Sequence, residues 1–279
     1  MYQQRTNREF PSLVVLLLDQ SASMIDATVV DGQKMSRAEA LANAVNSVLY
    51  ELILRCIKDA SEGPRHYYDI AVIGYGQESR HSVEGVGPAW TGELEGRLVI
   101  PSSEVGVNPL RVDRVFQEGG PANIPVWIEP SADGLTPMCA AFDLTGQTVA
   151  DWISQHPNSF PPVVIHVTDG DSTDGDPTVW ADRLKSLSTT DGNVLLLNLS
   201  LLSQKSNPVV FPTDDRDMNS ALGRQLFHMS SELPEFMIEL AASRGFPARK
   251  GSKGVIVNAD ISLVPSFFQI GTATTHVGR

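Results

Sequence analysis

The sequence predicts an α/β fold in three layers, with helices on both faces of a mostly parallel sheet. Several runs of the 279-residue chain are largely apolar and rich in Val, Leu and Ile, as strands buried on both faces are. Between these runs, apolar residues recur at helical spacing. Strands that alternate with helices form βαβ units, whose right-handed crossovers give a doubly wound sheet. The main strand-like runs are 12–18, 67–76, 163–168 and 193–202.

Three stretches predict the helices that join these strands. Ser36 to Glu39 reads S-R-A-E, a capping box that marks where a helix begins. Apolar residues then recur at helical spacing as far as Cys56. A second helix is predicted over 138–153. A third begins at Pro177, because proline suits the first position of a helix.

We predict one domain that spans residues 1–279, because no linker-like stretch divides the chain. The core of this domain covers about residues 13–245. Residues 76–130 are rich in Gly and Pro and have no helical period, which indicates an elaborated segment of short strands or a hairpin. Residues 246–279 are predicted to form a C-terminal extension.

Composition and charge argue against several classes of function. The net charge of -12 disfavours binding to nucleic-acid phosphates, which needs a basic surface. Cys56 and Cys139 stand in no CxxC pair, so they form no zinc or redox motif. The apolar run that ends at Leu18 is too short for a membrane span or a signal peptide. We therefore predict a cytoplasmic protein that binds neither nucleic acid nor membrane.

Oxygen-bearing side chains follow three of the predicted segments. The first strand ends in Asp19, Ser21 and Ser23, a later buried strand ends in Asp169, and Thr136 precedes the second predicted helix. Ligand sites in doubly wound folds lie beyond the carboxyl ends of the strands, so these side chains are expected to meet there. Carboxylate and hydroxyl oxygens are hard ligands. The sequence therefore predicts a site for a hard divalent cation, namely Mg²⁺, Mn²⁺ or Ca²⁺.

The predicted ligand shell has an unusual charge. It contains two carboxylates and three neutral hydroxyls, so it leaves positive charge on a divalent metal. It also leaves a coordination position open. A carboxylate from outside the chain can fill that position.

The three segments, in this order, resemble the metal-ion-dependent adhesion site of von Willebrand factor A (VWA) domains. That family has Asp-x-Ser-x-Ser, then a Thr, then an Asp, and the sequence matches at Asp19, Ser21, Ser23, Thr136 and Asp169. The similarity extends from about residue 13 to about residue 245. It implies a Rossmann-like sheet, a bound Mg²⁺, and a partner protein whose Asp or Glu completes the metal shell. The expected role is that of an adaptor without catalysis of its own.

Within this family, the run TDG…DPT…W from Thr168 to Trp180 is similar to bacterial intracellular members associated with tellurium-resistance clusters. Those members are often linked to kinases, phosphatases or AAA+ ATPases. The resemblance therefore implies a role in a stress response and a partner of one of these kinds. The long segment 76–130 departs from the family pattern, so partner surfaces of better-known members are not carried over.

A second interpretation of the same residues is enzymatic. VVIHVT-DGDST matches hhhhDxDxT, the nucleophile motif of haloacid-dehalogenase-type phosphatases. Asp169 would then be the nucleophile and Asp171 the acid and base, with Asp214 and Asp215 as magnesium ligands. This interpretation leaves the first 160 residues unexplained. The metal-dependent adaptor is therefore the main prediction.

Local hydrogen bonding offers a third interpretation, in which the fold is kept but the site holds no metal. Ser and Asp are common in turns and at helix N-caps because their side chains bond to nearby backbone groups. Thr136 in particular is expected to be the N-cap of the following helix, with Pro137 at its first position. A structural role in protein interaction would then remain.

Overall fold

A computed structural model describes residues 1–30, 32–59, 61–117, 120–201 and 207–273. The strands are β1 (Ser12–Asp19), β2 (Ala27–Val30), β3 (Gln33–Ser36), β4 (Tyr68–Tyr75), β5 (Val86–Pro88), β6 (Val99–Pro101), β7 (Arg111–Gln117), β8 (Gly120–Val126), β9 (Val163–Thr168), β10 (Ser188–Thr189), β11 (Gly192–Asn193), β12 (Leu195–Leu201), β13 (Val209–Val210) and β14 (Val255–Ala259). The α-helices are α1 (Arg37–Cys56), α2 (Ser102–Val105), α3 (Met138–Gln155), α4 (Thr178–Ser186), α5 (Ala221–Met229), α6 (Glu235–Ser243) and α7 (Val264–Gly271). Across these described ranges, no helix is both long enough and apolar enough to cross a membrane.

The predicted three-layer α/β fold is confirmed. The central sheet has the order β13-β14-β12-β9-β1-β4-β5, and β6 also pairs with β4. Strands β14, β12, β9, β1 and β4 run parallel to one another. The strands at the edges, β13, β5 and β6, run antiparallel to their neighbours.

Both faces of β1 are buried, which explains its uninterrupted apolar sequence. On one face, alternate residues pack with α3, α4 and α5: Leu13, Val15 and Leu17. On the other face, the intervening residues pack with α1, α6 and α7: Val14, Leu16 and Leu18. Helices therefore cover the sheet from two sides.

The order of the strands places a switch point between β1 and β9. From β1 the chain first crosses to β4 on one side, and it later returns to β9 on the other side. In open α/β sheets, ligands bind in the crevice at such a switch point, beyond the carboxyl ends of the strands. Asp19 is the last residue of β1, and Asp169 directly follows β9.

The segment 76–130 contains the short strands and the hairpin that its sequence predicts. Strands β5 and β6 extend the sheet beyond β4, and β7 and β8 form a separate antiparallel hairpin. The chain then returns to the core at Trp127, which is buried. Its indole Nε1 donates to the carbonyl of Val105 at 2.7 Å, and its backbone N–H donates to Asn46 Oδ1 of α1 at 2.8 Å.

The stretch 246–279, predicted as a C-terminal extension, contributes to the central layers. Strand β14 pairs in parallel with β12 and stands in the sheet between β12 and β13. Helix α7 contacts α1 and belongs to the same apolar cluster as that helix. The fold thus uses this stretch as one strand and one helix of its core.

Helix α1 begins as its sequence predicts, with a capping box. The Ser36 hydroxyl accepts the backbone N–H of Glu39 at 3.1 Å, and the Glu39 carboxylate accepts the backbone N–H of Ser36 at 2.7 Å. Before this point, β2 and β3 form a hairpin that the sequence analysis does not predict. This hairpin leads from the end of β1 into α1.

Candidate metal site

Asp19 forms the floor of the site, and its residue is only 1% exposed. Its Oδ1 accepts the backbone N–H of Ser21 at 2.9 Å, and its Oδ2 accepts the Thr168 hydroxyl at 2.7 Å. Burial raises the pKa of Asp19, while the hydrogen bonds from Ser21 and Thr168 lower it and the charge of Asp169 raises it further. The net pKa lies above its usual range, so a cation beside this carboxylate would relieve an unfavourable charge.

The side chains of Ser21, Ser23 and Asp169 are joined in a chain of hydrogen bonds. The hydroxyl oxygens of Ser21 and Ser23 lie 3.1 Å apart. The Ser23 hydroxyl donates to Asp169 Oδ1 at 2.6 Å. Because the Ser23 hydroxyl donates to Asp169, it accepts from Ser21, and one lone pair of the Ser23 oxygen remains for another partner. Ser21 is buried and Ser23 is exposed, so solvent reaches the site from the Ser23 side.

Thr136 lies on the loop that precedes α3. This loop contacts both the loop after β1 and the loop after β9. The carbonyl of Gly134 accepts the backbone N–H of Ala22 at 3.1 Å. On the other side, the backbone N–H of Thr136 donates to the Thr173 hydroxyl at 3.0 Å, and the Thr136 carbonyl accepts the Thr173 N–H at 2.9 Å. Within the described ranges the hydroxyl of Thr136 forms no hydrogen bond. This hydroxyl is therefore not committed to another group of the described residues.

Thr136 is not the N-cap of α3, so this prediction was wrong. The residue at the cap is Pro137, which makes no side-chain cap bond. Instead, the Asp174 carboxylate, from the loop after β9, accepts the N–H groups of Cys139 and Ala140, each at 2.9 Å. Although burial raises it, these hydrogen bonds lower the pKa of Asp174 overall. An acceptor from a distant loop satisfies the first turn of α3 and leaves the Thr136 hydroxyl free of that role.

Two glycines allow the loops after β1 and β4 and the loop before α3 to approach closely, and neither glycine is among the site residues that the sequence predicts. Gly76, just after β4, has φ +121, and a Cβ there would lie 2.6 Å from the backbone nitrogen of Ser21. Gly134 has φ +72, and its Cβ would lie 2.1 Å from the carbonyl oxygen of Gly76. Side chains are excluded at both positions. For Gly76, the available sequence signal was its position at the end of the predicted strand 67–76.

Sequence analysis also missed Arg37, the first residue of α1. Its Nη1 lies 2.8 Å from Asp169 Oδ2 and 3.4 Å from Asp26 Oδ2. The Arg37 side chain is 14% exposed, and that of Asp169 is fully buried. Arg37 and Asp169 are 132 positions apart, so no local pattern connects them.

A chain of buried polar side chains continues from the floor of the site into the sheet. Tyr75 Oη lies 2.7 Å from His166 Nε2, and His166 Nδ1 lies 2.9 Å from Asn198 Oδ1. Asn198 Nδ2 donates to the Ser230 hydroxyl at 2.8 Å, so its Oδ1 faces His166 as an acceptor. His166 therefore carries its proton on Nδ1 and accepts from Tyr75. Burial lowers the pKa of His166 to about 4, against the effect of Asn198, so this imidazole is a neutral core group.

The donor set fits Mg²⁺. The structure joins four of the five predicted residues by hydrogen bonds, namely Asp19, Ser21, Ser23 and Asp169. Two oxygens bound in cis to octahedral Mg²⁺, with bonds of roughly 2.0–2.1 Å, lie about 3 Å apart. The Ser21 and Ser23 oxygens have this separation, at 3.1 Å. The described residues contain no group of three or more His, Cys, Asp or Glu suited to a metal, so this candidate depends on its hydroxyl oxygens.

Comparison with known proteins assigns no family to the chain. No protein-family model and no curated protein match the sequence. Among solved structures, the chain is similar to an uncharacterized membrane-spanning protein from Vibrio fischeri, with 13% sequence identity and a TM-score of 0.26. The alignment covers 68% of this chain and 71% of that one. A likeness at this level carries no argument, so the site is interpreted from its own geometry.

Proposed function

We propose that the chain is a metal-dependent protein-binding module of the VWA type, which acts as an adaptor in the cytoplasm. It has no catalytic activity of its own. It holds Mg²⁺, or Mn²⁺ or Ca²⁺, with five side chains, and a partner's Asp or Glu completes the metal shell. One observation carries the proposal: the hydroxyls of Ser21 and Ser23 and the carboxylate of Asp169 line up at the switch point of the sheet.

The five candidate ligands are of two chemical kinds, and each kind contributes differently to metal binding. The hydroxyls of Ser21, Ser23 and Thr136 provide neutral oxygens. The buried carboxylates of Asp19 and Asp169 provide the negative charge that draws a cation to this edge of the sheet. When bound, the metal supplies positive charge and an open coordination position. These properties suit the docking of an acidic side chain.

The nature of the partner is proposed from the sequence resemblance. Bacterial members of the VWA family in tellurium-resistance clusters support a kinase, a phosphatase or an AAA+ ATPase as the partner. The same resemblance supports a role in a stress response. The acidic net charge of -12 argues against nucleic acid as the bound macromolecule.

The surroundings of Asp169 argue against the phosphatase alternative. Both oxygens of this carboxylate are engaged, one by Ser23 and the other by Arg37, and the side chain is fully buried. A divalent cation can compete with these two groups for the carboxylate, whereas nucleophilic attack on a phosphate needs an oxygen that neither group covers. The proposed magnesium ligands bond elsewhere, since Asp214 accepts the N–H of Arg216 and Asp215 pairs with His228.

Substitution of Ser21 separates the two functions. Ser21→Ala removes one neutral ligand but neither carboxylate, so we expect Mn²⁺ affinity to fall about tenfold or more, as loss of about 1.4 kcal/mol implies. Capture of a partner from native lysate should depend on Mg²⁺, be abolished by EDTA, and be lost in this variant. Ser154→Ala, at an exposed serine of α3, is the matched control and should behave as the wild type.

Two outcomes would contradict the proposed function. One is partner capture that EDTA and Ser21→Ala leave unchanged. The other is Mg²⁺-dependent hydrolysis of p-nitrophenyl phosphate that is lost in Asp169→Asn and kept in Ser21→Ala. The second outcome would favour the phosphatase.

A further inference from the structure

The candidate site contains a fixed positive charge of its own, on Arg37. We propose that Arg37 weakens the binding of the metal alone and strengthens the binding of a carboxylate to the loaded site. Because the carboxylate also ligates the metal, metal and acidic partner would bind cooperatively, and Arg37 would shift affinity from the metal alone to the carboxylate. This inference rests on the proposed function, because it concerns the same metal and the same incoming carboxylate.

The contact between Arg37 and the site is direct and largely shielded from water. Arg37 Nη1 lies 2.8 Å from Asp169 Oδ2, while the other oxygen of Asp169 accepts the Ser23 hydroxyl. The arginine side chain is 14% exposed and the aspartate side chain is fully buried. Charges in such surroundings interact more strongly than charges in bulk water. The guanidinium therefore acts on the same carboxylate that would draw in the metal.

Helix electrostatics do not account for an arginine at this position. Arg37 is the first residue of the 20-residue α1, and a cation at the N-terminus of a helix faces the positive end of its dipole. The cap itself is complete without Arg37, because Ser36 and Glu39 bond reciprocally. The ion pairs of Arg37 with Asp169 and Asp26 compensate for its unfavourable interaction with the helix dipole.

The balance of charge gives Arg37 opposite effects on the two ligands. Asp19 and Asp169 together carry two negative charges, which a divalent cation balances. With Arg37 the loaded site has a net charge of about +1, and without it the charge is about zero. Asp26 also faces the guanidinium at 3.4 Å, but its side chain is 63% exposed, so water screens it. A positive charge repels the metal and attracts a carboxylate.

The test compares the wild type with Arg37→Gln, using Mn²⁺ and acetate as probes. Mn²⁺ affinity is measured by calorimetry with and without saturating acetate. We expect Arg37→Gln to bind Mn²⁺ about tenfold more tightly than the wild type does. We also expect acetate to increase the Mn²⁺ affinity of this variant several-fold less than it increases that of the wild type. A purely structural role would not move these two quantities in opposite directions.

Two further variants control for charge and geometry. Arg37→Lys keeps the positive charge and should remain within about threefold of the wild type in both quantities. Arg55→Gln removes one positive charge from the far end of α1 and should change neither. Unfolding in EDTA reports whether each protein is folded, and Arg37→Gln should melt below the wild type in EDTA but not in saturating Mn²⁺.

The outcomes of these measurements distinguish a failure of the role proposed for Arg37 from a failure of the proposed function. A folded Arg37→Gln that binds Mn²⁺ no more tightly than the wild type overturns the role of Arg37 and leaves the proposed function intact. If neither protein binds Mn²⁺ even with acetate, both proposals fail. Should Arg37→Gln not fold, Arg37→Met takes its place, because methionine keeps an unbranched apolar stem and also lacks the charge. If a folded Arg37→Met bound Mn²⁺ no more tightly than the wild type, the inference would be overturned.

Discussion

Gly134→Ala is expected to lower the free energy of unfolding by about 3 kcal/mol or more, and to weaken Mn²⁺ binding at the same time. A Cβ at this position would lie 2.1 Å from the carbonyl oxygen of Gly76, and the backbone has φ +72. The three atoms nearest to this Cβ are all backbone atoms of Gly76, so no side-chain rotation relieves the clash. The loop that carries Thr136 must move away from the loop after β1. Urea unfolding measures the loss of stability.

Two other glycines separate the causes of this effect. Gly245 has a similar φ of +83, but a Cβ there meets no atom within 4 Å, so Gly245→Ala should cost only about 1 kcal/mol of backbone strain. Gly146 lies inside α3 with open space around it, so Gly146→Ala should stabilise the protein by up to about 1 kcal/mol. If Gly134→Ala lost no more stability than Gly245→Ala, the close approach of the loops would be disproved.

Asp19→Asn should abolish Mn²⁺ binding while making the metal-free protein more stable, by about 1 kcal/mol. Burial raises the pKa of Asp19 above its usual value. A carboxyl whose pKa is raised on folding stabilises the fold while it is neutral and loses that contribution as pH rises through its folded pKa. An asparagine keeps the acceptor for the Ser21 N–H and removes the charge. Thermal unfolding at neutral pH, with EDTA and with Mn²⁺, measures both effects.

Asp69, a buried carboxylate at the start of β4, provides the matched control. Burial raises its pKa, but hydrogen bonds from His66 at 2.7 Å and Trp152 at 2.9 Å lower it overall. Its charge therefore stabilises the fold above the unfolded pKa and is lost as pH falls through the folded pKa. Asp69→Asn should destabilise the protein and leave Mn²⁺ binding unchanged. A loss of stability in Asp19→Asn similar to that in Asp69→Asn would show that the Asp19 charge supports the fold.

The fold was largely predictable because its signals are local. A run such as Leu13 to Leu18 has one consistent explanation, a strand covered on both faces, and the capping box at Ser36 marks a helix start by itself. The hairpin of β2 and β3 was missed because none of the residues in these two strands is buried, so the sequence shows no apolar face. The strand β14 was placed outside the core because nothing in its short apolar run indicates a neighbour.

The proximity of four of the candidate residues was predictable, but the contacts that surround them were not. Asp19, Ser21 and Ser23 stand close together in sequence, directly after a strand, and this proximity gave the prediction. The capping of α3 by Asp174 and the ion pair of Arg37 join distant segments. Such contacts depend on the order of strands in the sheet, which periodicity along the chain does not encode.

The central claim, a divalent metal held between the loops after β1 and β9, is tested most directly by anomalous diffraction from crystals grown with Mn²⁺. The account predicts one strong peak within about 2.5 Å of the hydroxyl oxygens of Ser21 and Ser23, close to Thr136. The peak should disappear in crystals of Asp19→Asn. An empty site at saturating Mn²⁺ and acetate, or a peak bound only to other residues, would contradict the account.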